Sequence, residues 1–400
     1  MTLIASTLNF KKPFLMSDLV WSSSKIDGAI IMPTNSFDLR PHLSVEQEEK
    51  PVRLYQKMYC IKEKTCIVFA GFSDEIKVFL TVIKHIFRNH DAISMDEMHE
   101  FLNGYNLQTK FLDSAFFIMN VENLPQGSIN VGQFNCPSKT NVVDLTEFIV
   151  SEEDWNEMYH PIFDKVSACG SGAKGYLNIV NQEAIFYSKF EDGDFMKAVQ
   201  TNATLIAKIL ALERVSLYTL KNNWGGGFET AYFNGMKFEK IANIAYIICH
   251  NQFDSLGDIG LPLSILVMYY KYMNDILYII TVEIHKYETH ETDCHIIYIA
   301  YSGNYRTAIF EIEGLDVDNI EQYDLPSDCS FSTDKIAIGY SIVTKANTIF
   351  NPALFNFGPE IEVHFQQGSS IELKIDKKIE SDIREMSREK YPALDGSIIY

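Results

Sequence analysis

The sequence predicts an α+β fold, and three observations carry that prediction. Strand-like and helix-like stretches come in blocks, two strands and then two helices, instead of alternating one for one. Short turns join neighbouring strands as hairpins, the clearest being Asn234-Gly235 between two apolar runs. Beyond about His250 the helices give way to a series of short strands. Blocks of this kind indicate a layered sandwich, not a doubly wound parallel sheet.

Taken in order, Thr2–Ser6 and Phe14–Ser17 read as short strands around the turn 9–13, with Asp18 ending the second. Residues 22–51 are polar and irregular and read as a loop insertion. A hairpin follows, Gln56–Ile61 and Thr65–Ala70, about Lys62-Glu63-Lys64. Its second strand is apolar throughout, as a strand covered on both faces should be. Gly71 closes it. Ser73-Asp74-Glu75 then reads as the cap and acidic first turn of a helix whose apolar face is Ile76, Phe79, Leu80, Ile83 and Phe87. Ser94 and Glu97 form a capping box for a second helix, expected to stop near Asn103-Gly104. Ala115–Val121 and Ser128–Phe134 make another hairpin. A strand then runs into the turn Gly170-Ser171-Gly172. Helices follow from Tyr176 to about Tyr187 and from Asp194 to Leu212. Phe228–Phe233 and Lys237–Ile244 form the Asn-Gly hairpin. The remaining strands are Ile276–His285, Cys294–Ala300, Ala308–Ile312, Ile336–Val343, Ile361–Phe365 and Ser370–Ile375, with a charged helix at Lys377–Lys390. The expected division is therefore 1–249 and a β-rich region 250–400.

Composition sets outer bounds. Hydrophobic content of 46% and aromatic content of 13% suffice for packed cores in 400 residues. A formal net charge of -19 argues against nucleic acid or an anionic membrane as the main partner. Seven cysteines without a CxxC pair suit a reducing compartment. The N-terminus lacks the pattern of a signal peptide, and the longest apolar stretch, Leu261–Tyr270, is too short for a membrane span. A soluble, cytoplasmic protein is the expectation. The histidines and cysteine at 285, 290, 294 and 295 fit no common zinc spacing, and no metal or cofactor is expected.

The chemistry concentrates at the start of the chain. With Met1 removed, Thr2 would carry a hydroxyl nucleophile and a free α-amine on one residue. Such an amine, with a pKa of ~7.7–8.0, is partly neutral near pH 7 and can take a proton. A threonine activated by its own amine is a recognised nucleophile design.

Asp18 stands sixteen positions after Thr2, Lys57 stands fourteen before Gly71, and a Gly-Ser-Gly turn surrounds Ser171. With these residues, and in the order of its elements across roughly residues 2–245, the chain resembles the proteasome β-subunit and the HslV peptidase of the N-terminal-nucleophile hydrolases. The resemblance implies a four-layer αββα sandwich with a C-terminal β-rich extension. It implies a threonine-type peptidase that forms an acyl-enzyme at Thr2 on a peptide or protein substrate. In that scheme Lys57 favours the deprotonated hydroxyl, Asp18 holds Lys57, the Gly71 amide faces the oxyanion and Ser171 relays the proton of the amine. Lys50 is the alternate lysine, since its surroundings resemble those of HslV. Trp21, Ser22 and Phe69 fall where the family lines its substrate pocket, and the two aromatics predict a shallow or filled one. The family's aspartate behind the serine is missing. The matching stretch is Lys221-Asn222-Asn223-Trp224, where Asn222 keeps hydrogen-bonding capacity only. Ring-like homo-oligomers are implied, and an ATPase partner stays open. A non-peptide amidohydrolase and a catalytically inactive scaffold or binding subunit are the alternatives.

Overall fold

The structure, a computed structural model, describes residues 2–9, 12–24, 32–35, 39–43, 49–140, 142–151, 164–183, 195–252, 259–273, 276–300, 304–310, 333, 335–343, 349–350, 353–357, 361–364 and 371–390. The fold is mixed α and β with more strand than helix, and the strands form several sheets. Contacts group the chain into two compact units. One holds residues 1–28, 43–201 and 219–241; the other holds 29–42, 202–218 and 242–400. The second unit thus takes in two earlier segments besides everything after residue 241, where the sequence suggested a single boundary at 249.

The first unit begins with β1 (Leu3–Asn9), β2 (Lys12–Asp18), β3 (Val20–Ser23), β4 (Lys50–Leu54), β5 (Met58–Lys62) and β6 (Thr65–Ala70). Helices α1 (Ser73–Ile86) and α2 (Met95–Thr109) follow, then β7 (Ala115–Asn123), β8 (Ile129–Cys136), β9 (Asp144–Val150) and β10 (Asp164–Gly170). After them come α3 (Ala173–Glu183), α4 (Phe195–Ser216), α5 (Tyr218–Lys221), β11 (Phe228–Phe233) and β12 (Phe238–Lys240).

Two five-stranded antiparallel sheets form, in the orders β10-β1-β2-β11-β12 and β5-β6-β7-β8-β9. Alternation explains how they meet. Cys66, Val68 and Ala70 on β6 share one hydrophobic cluster with Ala115, Phe117 and Met119 on β7 and with Ile4, Leu15 and Phe233 of the other sheet. Residues of the opposite parity point away, and there the Phe79 ring of α1 lies tilted 4.1 Å from Phe116 and edge-on 5.1 Å from Tyr105 of α2, centroid to centroid. β6 is therefore buried on both faces, which is why it reads as unbroken apolar sequence. Each such fully buried Phe, Ile or Val stabilises the fold by roughly 1.5–3 kcal/mol.

Several local expectations change. Residues 22–51 are not loop throughout, because β3 pairs with β4 across their ends. Ser73 does not cap α1; Phe72 holds the cap position without a side-chain bond. Ser114 substitutes from a distance, its Oγ accepting from Phe72 N at 3.1 Å and donating to Glu75 at 2.6 Å. The Ser94–Glu97 capping box forms in both directions. However, α2 runs past Gly104 to Thr109, because Tyr105 and Asn106 still pack inward, and it stops at Lys110 in the left-handed conformation. Strand β9 mixes polar and apolar residues on both faces, so no clean alternation announces it; it pairs along β8, with Phe148 and Val150 against the core. The last hairpin is shorter than expected, ending at Lys240, and Ile244 opens a strand of the second unit.

The second unit contains β13 (Ile244–Gln252), β14 (Ser264–Met273), β15 (Ile276–Ile284), β16 (Glu288–Glu291), β17 (His295–Ala300) and β18 (Asn304–Phe310). It continues through β19 (Lys335–Val343), β20 (Ile349–Phe350), β21 (Ala353–Phe357), β22 (Ile361–His364), β23 (Ile371–Asp376) and α6 (Lys377–Lys390). A seven-stranded sheet runs β18-β15-β14-β13-β19-β20 with β21 also on β19, and a four-stranded sheet runs β16-β17-β23-β22. The apolar stretch 261–270 becomes most of β14. No helix among the described residues is long and apolar enough to cross a membrane.

Helix α4 passes from one unit to the other between Thr201 and Asn202. Its second half lies tight on β19, where a Cβ at Gly339 would be 2.6 Å from the Ala207 carbonyl oxygen. Ser341 Oγ donates to Ala211 O at 2.6 Å. Arg214 reaches both the Thr34 carbonyl, at 2.7 Å, and Glu283, while Thr34 donates to Glu213. Residues 32–35 are held to α4 by this buried network.

Candidate active site

The chain's first residues become an interior strand. β1 lies between β10 and β2, with Leu3 opposite Gly170 and Ile4 opposite Ser17. Thr2 is therefore fixed at the end of a five-stranded sheet and is buried. Gly170 must be glycine, for its φ is +93° and a Cβ there would sit 1.8 Å from the Thr2 carbonyl oxygen.

Asp18 and Lys57 converge on Thr2 from different elements. Asp18 ends β2, and Lys57 precedes β5. Lys57 Nζ donates to Thr2 Oγ1, to Asp18 Oδ1 at 2.7 Å and to the Val20 carbonyl. These three acceptors match the three protons of an ammonium. Asp18 does more than the expected holding of Lys57. Its Oδ1 also accepts from the Thr2 hydroxyl and from Leu3 N at 3.0 Å, and its Oδ2 accepts from Gly225 N at 2.9 Å. The pair is almost wholly withdrawn from water, at 4% and 0% side-chain exposure. Lys50 is instead on β4 opposite Ser23.

Glu229 is a member of this site that sequence reasoning missed. It lies on β11, is buried, and accepts from Lys57 N at 2.8 Å, Gln56 Nε2 at 3.0 Å and Lys240 Nζ at 3.1 Å. An acid within the apolar run Phe228–Phe233 was the available signal. Lys57 is thus held at both ends, by Glu229 at its amide and by Asp18 at its ammonium.

A cavity of about 340 Å³ opens beside Thr2, and Gly71, Ser171, Trp21, Ser22 and Phe69 all line it. The aromatics line this space without filling it, and Trp21 tilts against Tyr55, ring centroids 5.5 Å apart. Gly71 lies at the exit of β6 with φ +130°. Ser171 Oγ donates to the backbone carbonyl of Asn223 at 3.1 Å, so a main-chain acceptor stands where the sequence suggested Asn222.

No family model matches this chain, and no curated protein matches it.

Burial pulls the Lys57 pKa below the ordinary lysine value of 10.5; the Asp18 carboxylate and then Glu229 oppose that shift without cancelling it. Between the lowered value and 10.5 the unfolded chain holds the proton that the folded chain has released. Stability contributed by this group therefore rises as pH increases through that window. An ammonium is nonetheless what favours a Thr2 alkoxide. The rate at which an electrophile modifies Thr2 is expected to fall on the alkaline side before pH 10.5, while the denaturant midpoint shows no matching loss from Lys57. Rate and midpoint measured across pH 7–11 on one preparation check this; an alkaline limb at the ordinary lysine value would contradict it.

Proposed function

We propose that the first unit is an N-terminal-nucleophile hydrolase of the proteasome and HslV kind, acting as a threonine-type peptidase. The observation that carries the reading is the convergence of the Thr2 hydroxyl, the Lys57 ammonium and the Asp18 carboxylate at the edge of a cavity. Cutting the bond before Thr2 would release its α-amine as the base. Thr2 Oγ attacks the carbonyl carbon of the scissile amide, the proton passes through the amine to the leaving nitrogen, and an acyl-enzyme remains for water to hydrolyse. Lys57 offsets the charge developing on Oγ. The Gly71 amide serves the oxyanion, and Ser171 helps move the proton of the amine. Two facing sheets with helices on the outer face of one support the four-layer αββα arrangement as part of the same proposal. A cytoplasmic setting and a ring-like homo-oligomer belong to it as well.

Intact mass and N-terminal sequencing test the premise, followed by a threonine-directed epoxyketone. The expected result is a chain starting at Thr2 with one adduct on that residue, absent from Thr2→Ala. A blocked Thr2 nitrogen in fully processed protein, or an adduct that survives the substitution, would overturn the reading. Turnover of a peptide library against small amides then separates peptidase from amidohydrolase.

A further inference from the structure

Cys60 on β5 and Cys66 on β6 stand directly opposite each other in the antiparallel register, and their Sγ atoms are 3.3 Å apart. Both are thiols in this structure; Cys66 is buried and Cys60 is partly exposed. Opposed residues of an antiparallel pair have Cα atoms about 4.5–5.5 Å apart, within the roughly 4.4–6.8 Å that a disulfide spans. Closing the gap to a bond of about 2.05 Å is a matter of side-chain rotation and a small strand adjustment. The sequence hid this pair. The two cysteines match no CxxC motif, and only the hairpin register, symmetric about Glu63, brings them together.

We propose that Cys60 and Cys66 are a reversible redox site that exchanges with small-molecule disulfides and closes a cross-strand bond in this hairpin. The Cys60 thiolate attacks one sulfur of a disulfide RSSR, giving a mixed disulfide at Cys60 and releasing RS⁻, which takes up a proton. Cys66 gives up its proton to solvent, and its sulfur attacks the Cys60 sulfur and expels the second RS⁻. Two protein thiols lose two electrons in all, and one small disulfide becomes two thiols. Exposure assigns the order, since the incoming disulfide reaches Cys60 and not the buried Cys66. Burial and the neighbouring Cys60 raise the Cys66 thiol pKa, and Lys240 opposes this, so Cys66 has less thiolate to offer than an ordinary cysteine.

The position gives the bond a consequence whatever reaction the protein performs. Lys57 enters the hairpin, Gly71 leaves it, and the Lys57 carbonyl accepts from Phe69 N at 3.0 Å. A bond across 60–66 pins the register between those two ends.

The test equilibrates full-length protein in glutathione buffers of rising oxidised-to-reduced ratio, followed by acid quench, alkylation of the unfolded chain and peptide mapping. Trypsin cuts after Lys62 and Lys64, so a 60–66 bond is seen as two fragments that separate only on reduction. The expected result is that linked pair, with a melting temperature on the order of 5 °C above that of the reduced sample. Both changes are lost in Cys60→Ser. That variant decides the matter, because Cys66→Ser places a hydroxyl in the core and risks unfolding. Full alkylation of both cysteines at every ratio would overturn the proposal. So would Cys60 stopping at the glutathione adduct with Cys66 still a thiol.

Discussion

Replacing Thr2 by alanine is expected to lower amide turnover by roughly 10⁴–10⁶-fold, the range seen when a covalent nucleophile is removed from an enzyme whose binding site is otherwise intact. Thr2 is the residue to which both members of the buried ion pair are bonded. The pairing of β1 begins at the next residue, Leu3, and rests on main-chain bonds, so alanine at position 2 leaves the strand in place. Serine at the same position keeps a hydroxyl and, after processing, an α-amine, and is expected to retain most of the activity. Steady-state kcat for the three proteins, on the best amide from a library, checks both statements. Activity in Thr2→Ala close to that of the native protein would move the nucleophile elsewhere.

The second large effect is on stability. Lys57→Met should destabilise the first unit by about 3–5 kcal/mol, because it leaves the Asp18 carboxylate buried without its cation. Asp18→Asn strands the Lys57 charge in the same way and weakens acceptance from Leu3 N and Gly225 N. Combining the two should restore much of the lost stability, since a buried ion pair replaced as a unit is often close to neutral. Modification of Thr2 should stay low in all three variants. Denaturant midpoints and adduct rates measured together separate the pair's structural role from its chemical one. Additive losses in the double variant would show that Asp18 and Lys57 act independently.

Much of the site was legible because it depends on spacing along single strands. Thr2 and Asp18 are joined by one hairpin, and Lys57 and Gly71 bracket another, so sequence distance translates directly into position. Glu229 was harder to read, because its partners Gln56 and Lys57 lie 172 and more positions away, and an acid within an apolar run is the one local sign of it. Ser114 at the start of α1 was hidden for the same reason. How Trp21 leans on Tyr55 is likewise something residue type alone does not fix. Periodicity found most strands, but β9 mixes polar and apolar residues on both faces, and no periodicity says which sheet a strand will join. The placing of 29–42 and 202–218 in the second unit escaped notice on that account.

That placing bears on how this protein can be divided. The β-rich unit is not a tail to be trimmed at residue 249. Such a cut removes Glu283 and Ser341, the partners of Arg214 and of the Ala211 carbonyl. The strand pair β3–β4 that borders the candidate site is likewise continuous, through residues 24–49, with the segment anchored on α4. The chain passes between the two units at five places, so they must be made, and inherited, as one molecule.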